Sequence, residues 1–121
     1  MVEATAEMET MRDLLACYIL DSENRPVKTD LHTWGEWFST VGNRTVGYTE
    51  INSQVRVSTV FLGTDHNYSR KGPPLLFETM VFGGELDEHQ WRYSTWDDAK
   101  MNHDGIVKRL RRNVRGESSV G

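Results

Sequence analysis

Four polar residues have side chains that could do acid–base or metal chemistry: Asp65, His66, Glu78 and His103. Asp65 and His66 directly follow a β-branched, apolar run, where a loop leaves a rigid scaffold and often carries function. Glu78 interrupts the most hydrophobic run of the chain, and a buried carboxylate there is costly unless it is paired or kept neutral. His103 falls on the apolar face of the last predicted helix.

If these side chains converge, two imidazoles and two carboxylates could bind a divalent metal or form an acid–base pair. The four positions are scattered, however, with no local spacing of the HExxH kind. Structural roles compete: Glu78 can pair with Arg56 or Arg92 on neighbouring strands or can face outward. His103 can be a hydrogen-bonded, half-buried histidine that caps the core. We therefore assign no catalytic residue and no metal ligand, and we expect no cofactor.

Aromatic and basic residues interleave at Trp91-Arg92-Tyr93 and Trp96. Such a pattern can stack nucleotide bases, although cross-strand packing produces it as well. A nucleotide pocket would combine His66 with Arg92, Tyr93 and Trp96. The full set of candidate binding residues is Asp65, His66, Glu78, Arg92, Tyr93, Trp96 and His103.

The strands that would position these residues lie in the middle of the chain. Residues 55–62, 75–82 and 90–94 are rich in β-branched and aromatic residues, and 44–51 is a weaker strand. Short links between consecutive strands predict a three- to four-stranded antiparallel β-meander.

Two helices are expected to pack on this sheet, which makes the fold class α+β. A short Trp-rich helix follows Asp30, a predicted N-cap. A C-terminal helix begins near Thr95, which forms a capping-box pattern with Asp98. We predict a single domain over 18–112, preceded by an N-terminal helical extension (1–17) and followed by a flexible C-terminal tail (113–121).

Composition bounds the function classes. The chain has 121 residues and a net charge of -4, which indicates one domain and argues against a general nucleic-acid binder. Nucleic acid could bind only through the basic C-terminal stretch formed by Lys108, Arg109, Arg111, Arg112 and Arg115. The one cysteine, Cys17, excludes an intrachain disulfide. Without a long apolar run or a signal-peptide pattern, we expect no membrane contact and a cytoplasmic location.

Three long motifs carry a family resemblance: RVSTVFLGTDH at 56–66, PLLFETMVFGG at 74–84 and RYSTWDDA at 92–99. They resemble a widespread family of small, uncharacterised bacteriophage and prophage proteins, over about Tyr18 to Leu110. The chain departs from that pattern at residue 64, which is Thr where relatives often have Leu. The resemblance implies a phage origin, and small acidic phage proteins often bind a host protein or sequester a small signal.

The first hypothesis is a non-enzymatic interaction protein that binds a host or phage protein in a counter-defence role, with homo-oligomerisation also open. Its basis is the small size, the lack of a catalytic motif and the abundance of Trp and Tyr, which are enriched at interfaces. The alternatives are a protein that binds or sequesters a nucleotide or a small signalling molecule, and a metal-dependent hydrolase or nuclease.

Overall fold

The computed structural model describes residues 16–41, 44–69 and 71–114. Within these ranges, the chain forms six strands and two helices in an α+β arrangement. The strands are β1 (Cys17–Leu20), β2 (Pro26–Thr29), β3 (Thr45–Glu50), β4 (Arg56–Phe61), β5 (Phe77–Phe82) and β6 (Gln90–Tyr93). The helices are α1 (Leu31–Thr40) and α2 (Trp96–Val114).

The last four strands form the antiparallel β-meander that the sequence predicts. Their order in the sheet is β3-β4-β5-β6, so each strand pairs with its neighbour along the chain. At the centre, Thr59 of β4 lies opposite Thr79 of β5, and Phe61 lies opposite Phe77. The fold class and the four-stranded form of the sheet are therefore confirmed.

One face of this sheet, which we call the inner face, is covered by α2. Alternate residues of the two central strands are buried there: Val57, Thr59, Phe61, Phe77, Thr79 and Val81. Helix α2 buries residues spaced by three or four positions against them, namely Ala99, His103, Val107 and Leu110. The buried helix residues recur every three or four positions and the buried strand residues every second position, so both sets lie on the contact between α2 and the inner face.

The opposite side, which we call the outer face, carries the alternate residues of the same strands. Its central members are only partly buried: Ser58, Val60, Glu78, Met80 and Phe82. Tyr48, Glu50, Arg56, Gln90 and Arg92 surround them and are exposed. In the described ranges, neither helix packs across this face.

The β1–β2 hairpin and α1 lie beside one end of the sheet. The Asp30 carboxylate accepts a hydrogen bond from the Thr33 amide, so Asp30 is the N-cap that the sequence predicts. Trp37 and Phe38 then pack against Phe61, with ring centroids 5.8 and 6.4 Å away from it. The Trp-rich helix therefore extends the aromatic core beyond the edge of the meander.

The structure changes two predicted boundaries. Cys17, assigned to a helical extension over 1–17, instead begins β1, because its backbone pairs with Thr29 and also bridges to Thr64. Residues 1–15 of that extension lie outside the described residues. At the other end, α2 continues through Val114, and the Asn113 side chain donates a hydrogen bond to Glu85. The tail predicted over 113–121 therefore begins within a helix, and residues 115–121 are not described.

We predict that Gly83→Ala destabilises the fold by at least about 2 kcal/mol, because left-handed backbone is costly for an L-residue. Gly83 has a φ of +87°, and a Cβ there would lie 1.9 Å from the Gln54 carbonyl oxygen. The measurement is the free energy of unfolding in urea. Gly105→Ala is the matched control, since Gly105 lies in α2 with nothing near its added Cβ. It should stabilise the protein by roughly 0.5–1 kcal/mol, and equal effects of the two variants would contradict the prediction.

Candidate functional site

The polar residues singled out in the sequence do not form one site. His103 projects from α2 onto the inner face, whereas Glu78 lies on the outer face, directly opposite Arg92 in the β5–β6 register. A sheet separates the two side chains, so the acid–base or metal constellation of Asp65, His66, Glu78 and His103 is not assembled. The physical reason is strand alternation: Glu78 and its neighbours Phe77 and Thr79 must point to opposite sides.

Asp65 and His66 instead hold the loop after β4 in shape. The Asp65 carboxylate accepts hydrogen bonds from the backbone amides of Asn67, at 2.7 Å, and Leu75, at 3.0 Å. The His66 Nδ1 donates to the Thr64 carbonyl oxygen at 2.9 Å, since a carbonyl can only accept. Burial, and secondarily the Asp65 charge, raises the pKa of the Tyr18 phenol. Asp65 and His66 therefore have a structural role in this loop.

The proposed nucleotide pocket is also divided between the two faces. Arg92 is exposed on the outer face, whereas Tyr93 and Trp96 pack into the aromatic core. Trp96 makes an edge-to-face contact with the buried Phe77, with 6.3 Å between ring centroids. The rings that could stack a base are thus used for packing, and they do not lie beside Arg92.

His103 is the centre of a buried polar network that sequence reasoning did not identify. Its Nε2 lies 2.9 Å from the Thr49 hydroxyl and its Nδ1 lies 2.7 Å from the Thr59 hydroxyl. Thr59 in turn contacts the Thr79 hydroxyl at 2.5 Å. The network therefore links α2 to three strands of the sheet. The available signal was a threonine at an inward position of each strand and a histidine on the apolar helix face.

The neighbours of this network explain how an imidazole fits into the core. A Cβ on Gly47 would lie only 3.0 Å from the His103 ring, so the glycine leaves the space that the ring fills. The Tyr93 hydroxyl is buried near Thr79 but outside hydrogen-bond geometry. Burial raises the pKa of the Tyr93 phenol.

The His103 imidazole is kept neutral by its surroundings. Burial lowers the pKa of His103, the Asp104 charge acts in the opposite direction, and Lys100 adds to the lowering. A neutral ring has one donor and one acceptor nitrogen, which matches one threonine hydroxyl on each side. With 2% of its surface exposed, His103 has no access to a substrate. It is a core residue that connects α2 to the sheet.

The outer face is the candidate functional surface. Val60, Met80 and Phe82 are partly exposed apolar residues on its two central strands, and the Arg56 guanidinium lies 4.6 Å from the centre of the Phe82 ring. Four charged residues occur in register as opposite pairs, Glu50 with Arg56 and Glu78 with Arg92. Of these residues, sequence reasoning named only Glu78 and Arg92 as candidates. The other outer-face residues could have been located from strand alternation, because they lie at odd spacings from the buried Phe61 and Phe77 on the same strands or opposite such positions.

Comparisons with protein-family models, with curated proteins and with solved structures found no match to this chain. No group of three or more His, Cys, Asp or Glu side chains that could hold a metal ion occurs among the described residues. Neither described helix combines the length and apolar character that a membrane crossing requires.

We predict that the protein loses stability as the pH falls below about 6.5, the pKa of histidine in an unfolded chain. Because the folded pKa of His103 is lowered, its contribution is complete above that pH. Below it, the unfolded chain binds a proton that the folded chain does not, with a slope of at most about 1.4 kcal/mol per pH unit. Urea unfolding at several pH values between 7 and 5 measures this loss.

The variant His103→Gln should show a shallower loss of stability over the same range. His32→Gln is the control, because His32 lies on the exposed surface of α1, and its ion pair with Glu36 is solvent-exposed. The control should follow the wild-type profile. Parallel profiles for wild type and His103→Gln would contradict a neutral, buried His103.

Proposed function

We propose that this chain is a non-enzymatic interaction protein of phage origin that binds a host protein through the outer face of its four-stranded sheet. The setting we propose is the host cytoplasm, and the role is interference with a host defence. The observation that carries the proposal is the apolar character of a sheet face on which no described element packs.

An antiparallel sheet with one solvated face normally alternates apolar residues inward with polar residues outward. Here the inward positions are apolar apart from the hydrogen-bonded Thr59 and Thr79. The outward positions, however, include Val60, Met80 and Phe82 on two adjacent central strands. Contiguous apolar residues surrounded by polar ones are typical of protein interaction sites. The pattern therefore favours a surface that is covered when a partner binds.

The residue types of the outer face also support protein binding. Aromatic residues, Met and Arg are enriched in interfaces, and Tyr and Arg are frequent hot-spot residues. Tyr48 is 54% exposed at one side of the face, and Arg56 is held over Phe82 by a cation–π contact. Side chains held in one position before binding lose less conformational entropy when the partner arrives.

The separation of Glu78 from His103 supports a binding role over catalysis. A general acid and a general base must both reach the reacting group, and these two side chains lie on opposite sides of a sheet. The Asp65 carboxylate is engaged by two backbone amides. Asp65, His66 and His103, three of the four residues that suggested an enzyme in the sequence, thus have structural hydrogen-bond partners of their own.

The test is capture of a bacterial host partner by affinity-tagged wild type and Met80→Glu, with the partner identified by mass spectrometry and its affinity measured by calorimetry. We expect a loss of at least tenfold in affinity, about 1.4 kcal/mol, because the variant places a charge at the centre of the apolar patch.

Met101→Glu is the matched control, because it makes the same substitution at a position on α2 that is 69% exposed and away from the outer face. It should bind like wild type, and thermal unfolding should show that both variants are folded. A wild type that captures no host protein, or a partner that binds Met80→Glu and Met101→Glu equally well, would refute the proposal.

A further inference from the structure

A cleft opens between the end of α1 and the start of β3, at one corner of the outer face. Its volume is about 380 Å³, within the usual range for ligand pockets. Five apolar and two polar residues line it: Phe38, Val41, Val60, Phe61 and Leu62, with Arg44 and Thr45. Thr45 lies opposite Val60 in the β3–β4 register, so the cleft is continuous with the outer face.

Arg44 is the charged residue of this cleft. Its guanidinium carbon lies 4.3 Å from the centre of the Phe38 ring. Stacking on an aromatic face holds the guanidinium plane and leaves its edge donors able to bind a planar anion in a bidentate way. None of the ion pairs formed by the described residues involves Arg44. Within the part of the chain that the structure describes, the Arg44 guanidinium therefore has no carboxylate as its counter-ion.

The charge distribution of the adjoining face indicates what would pair with it. Glu50 lies opposite Arg56 and Glu78 opposite Arg92, so these positions balance in charge across the sheet. Arg44 lies outside both register pairs and next to apolar walls. A complementary occupant must bring a negative group for the guanidinium and a large apolar group for the cleft.

We propose that the cleft binds a segment of the partner protein in which an acidic side chain directly follows a large apolar side chain. The inference rests on the proposed function, since the cleft shares Val60 with the outer face. The carboxylate receives two N–H donors from Arg44, and the apolar side chain lies against Val41, Val60 and Leu62. The outer face thus binds the partner protein, and the cleft determines which residues the bound segment of that partner must carry.

The test uses two blocked dipeptides, N-acetyl-Phe-Glu-amide and N-acetyl-Phe-Gln-amide, titrated into ¹⁵N-labelled full-length protein and followed by NMR. The Glu dipeptide should shift the amide signals of Arg44, Thr45 and Leu62, and the Gln dipeptide should bind at least about tenfold more weakly, since it lacks the charge. Equal binding of the two dipeptides, or shifts confined to other parts of the protein, would overturn the proposal.

Variants at Arg44 examine the same contact from the protein side. Arg44→Gln should reduce binding of the Glu dipeptide to the level of the Gln dipeptide, and Arg44→Lys should retain only part of it, because lysine keeps the charge but loses the planar fork. Lys100→Gln removes the same charge from α2, where Lys100 pairs with Asp104, and should have no effect. An Arg44→Gln variant that binds like wild type would refute the proposal.

A third probe and the capture experiment separate the remaining alternatives. N-acetyl-phenylalanine has a free terminal carboxylate. If this probe binds more tightly than the Glu dipeptide, the cleft recognises the carboxyl terminus of a chain and not an acidic side chain, and the proposal is overturned. If Met80→Glu fails to capture a host protein and Arg44→Gln captures it like wild type, the proposed role of the cleft is refuted and the proposed role of the outer face is supported. Arg44-dependent dipeptide binding without host capture would refute the proposed function alone.

Discussion

The contact between α2 and the inner face of the sheet is the constraint on which the rest of the structure depends. Its polar centre is the chain of hydrogen bonds from His103 to Thr49 and Thr59 and on to Thr79. Because a buried polar group is costly unless it is satisfied, the helix can adopt few positions along its axis without leaving a nitrogen or a hydroxyl unpaired. The aliphatic and aromatic contacts on either side supply apolar burial, while the network specifies the alignment.

That alignment also determines which surface remains open. Once α2 covers the inner face, strand alternation sends Val60, Met80 and Phe82 to the opposite side, where none of the described elements packs. The same alternation directs Glu78 and Arg92 outward as an opposite pair. A chain of this size thus has a conventional core on one side of its sheet and, on the other, a surface whose apolar character favours a partner.

The Arg44 cleft illustrates how a small fold can add selectivity to such a surface. Helix α1 and the first residue of β3 meet at a corner. There the Phe38 ring packs near Phe61, with 6.4 Å between ring centroids, and its centre lies 4.3 Å from the Arg44 guanidinium carbon. One aromatic residue therefore serves both packing and positioning. A cation held in this way distinguishes partners by charge, while the apolar residues beside it contribute to binding without the same selectivity.

The sequence by itself determined the local elements. The β-branched alternation at 55–62, the Asp30 cap and the capping pattern at Thr95 predict strands and helix starts that the structure contains, because these signals depend on neighbouring residues alone. Tertiary structure alone decided what the polar residues do. Whether Glu78 and His103 meet depends on which face α2 covers, and this is set by packing between residues distant in sequence. For the same reason the threonine network, the outer face and the Arg44 cleft could not be recognised from spacing, since each joins side chains from three or more separate elements.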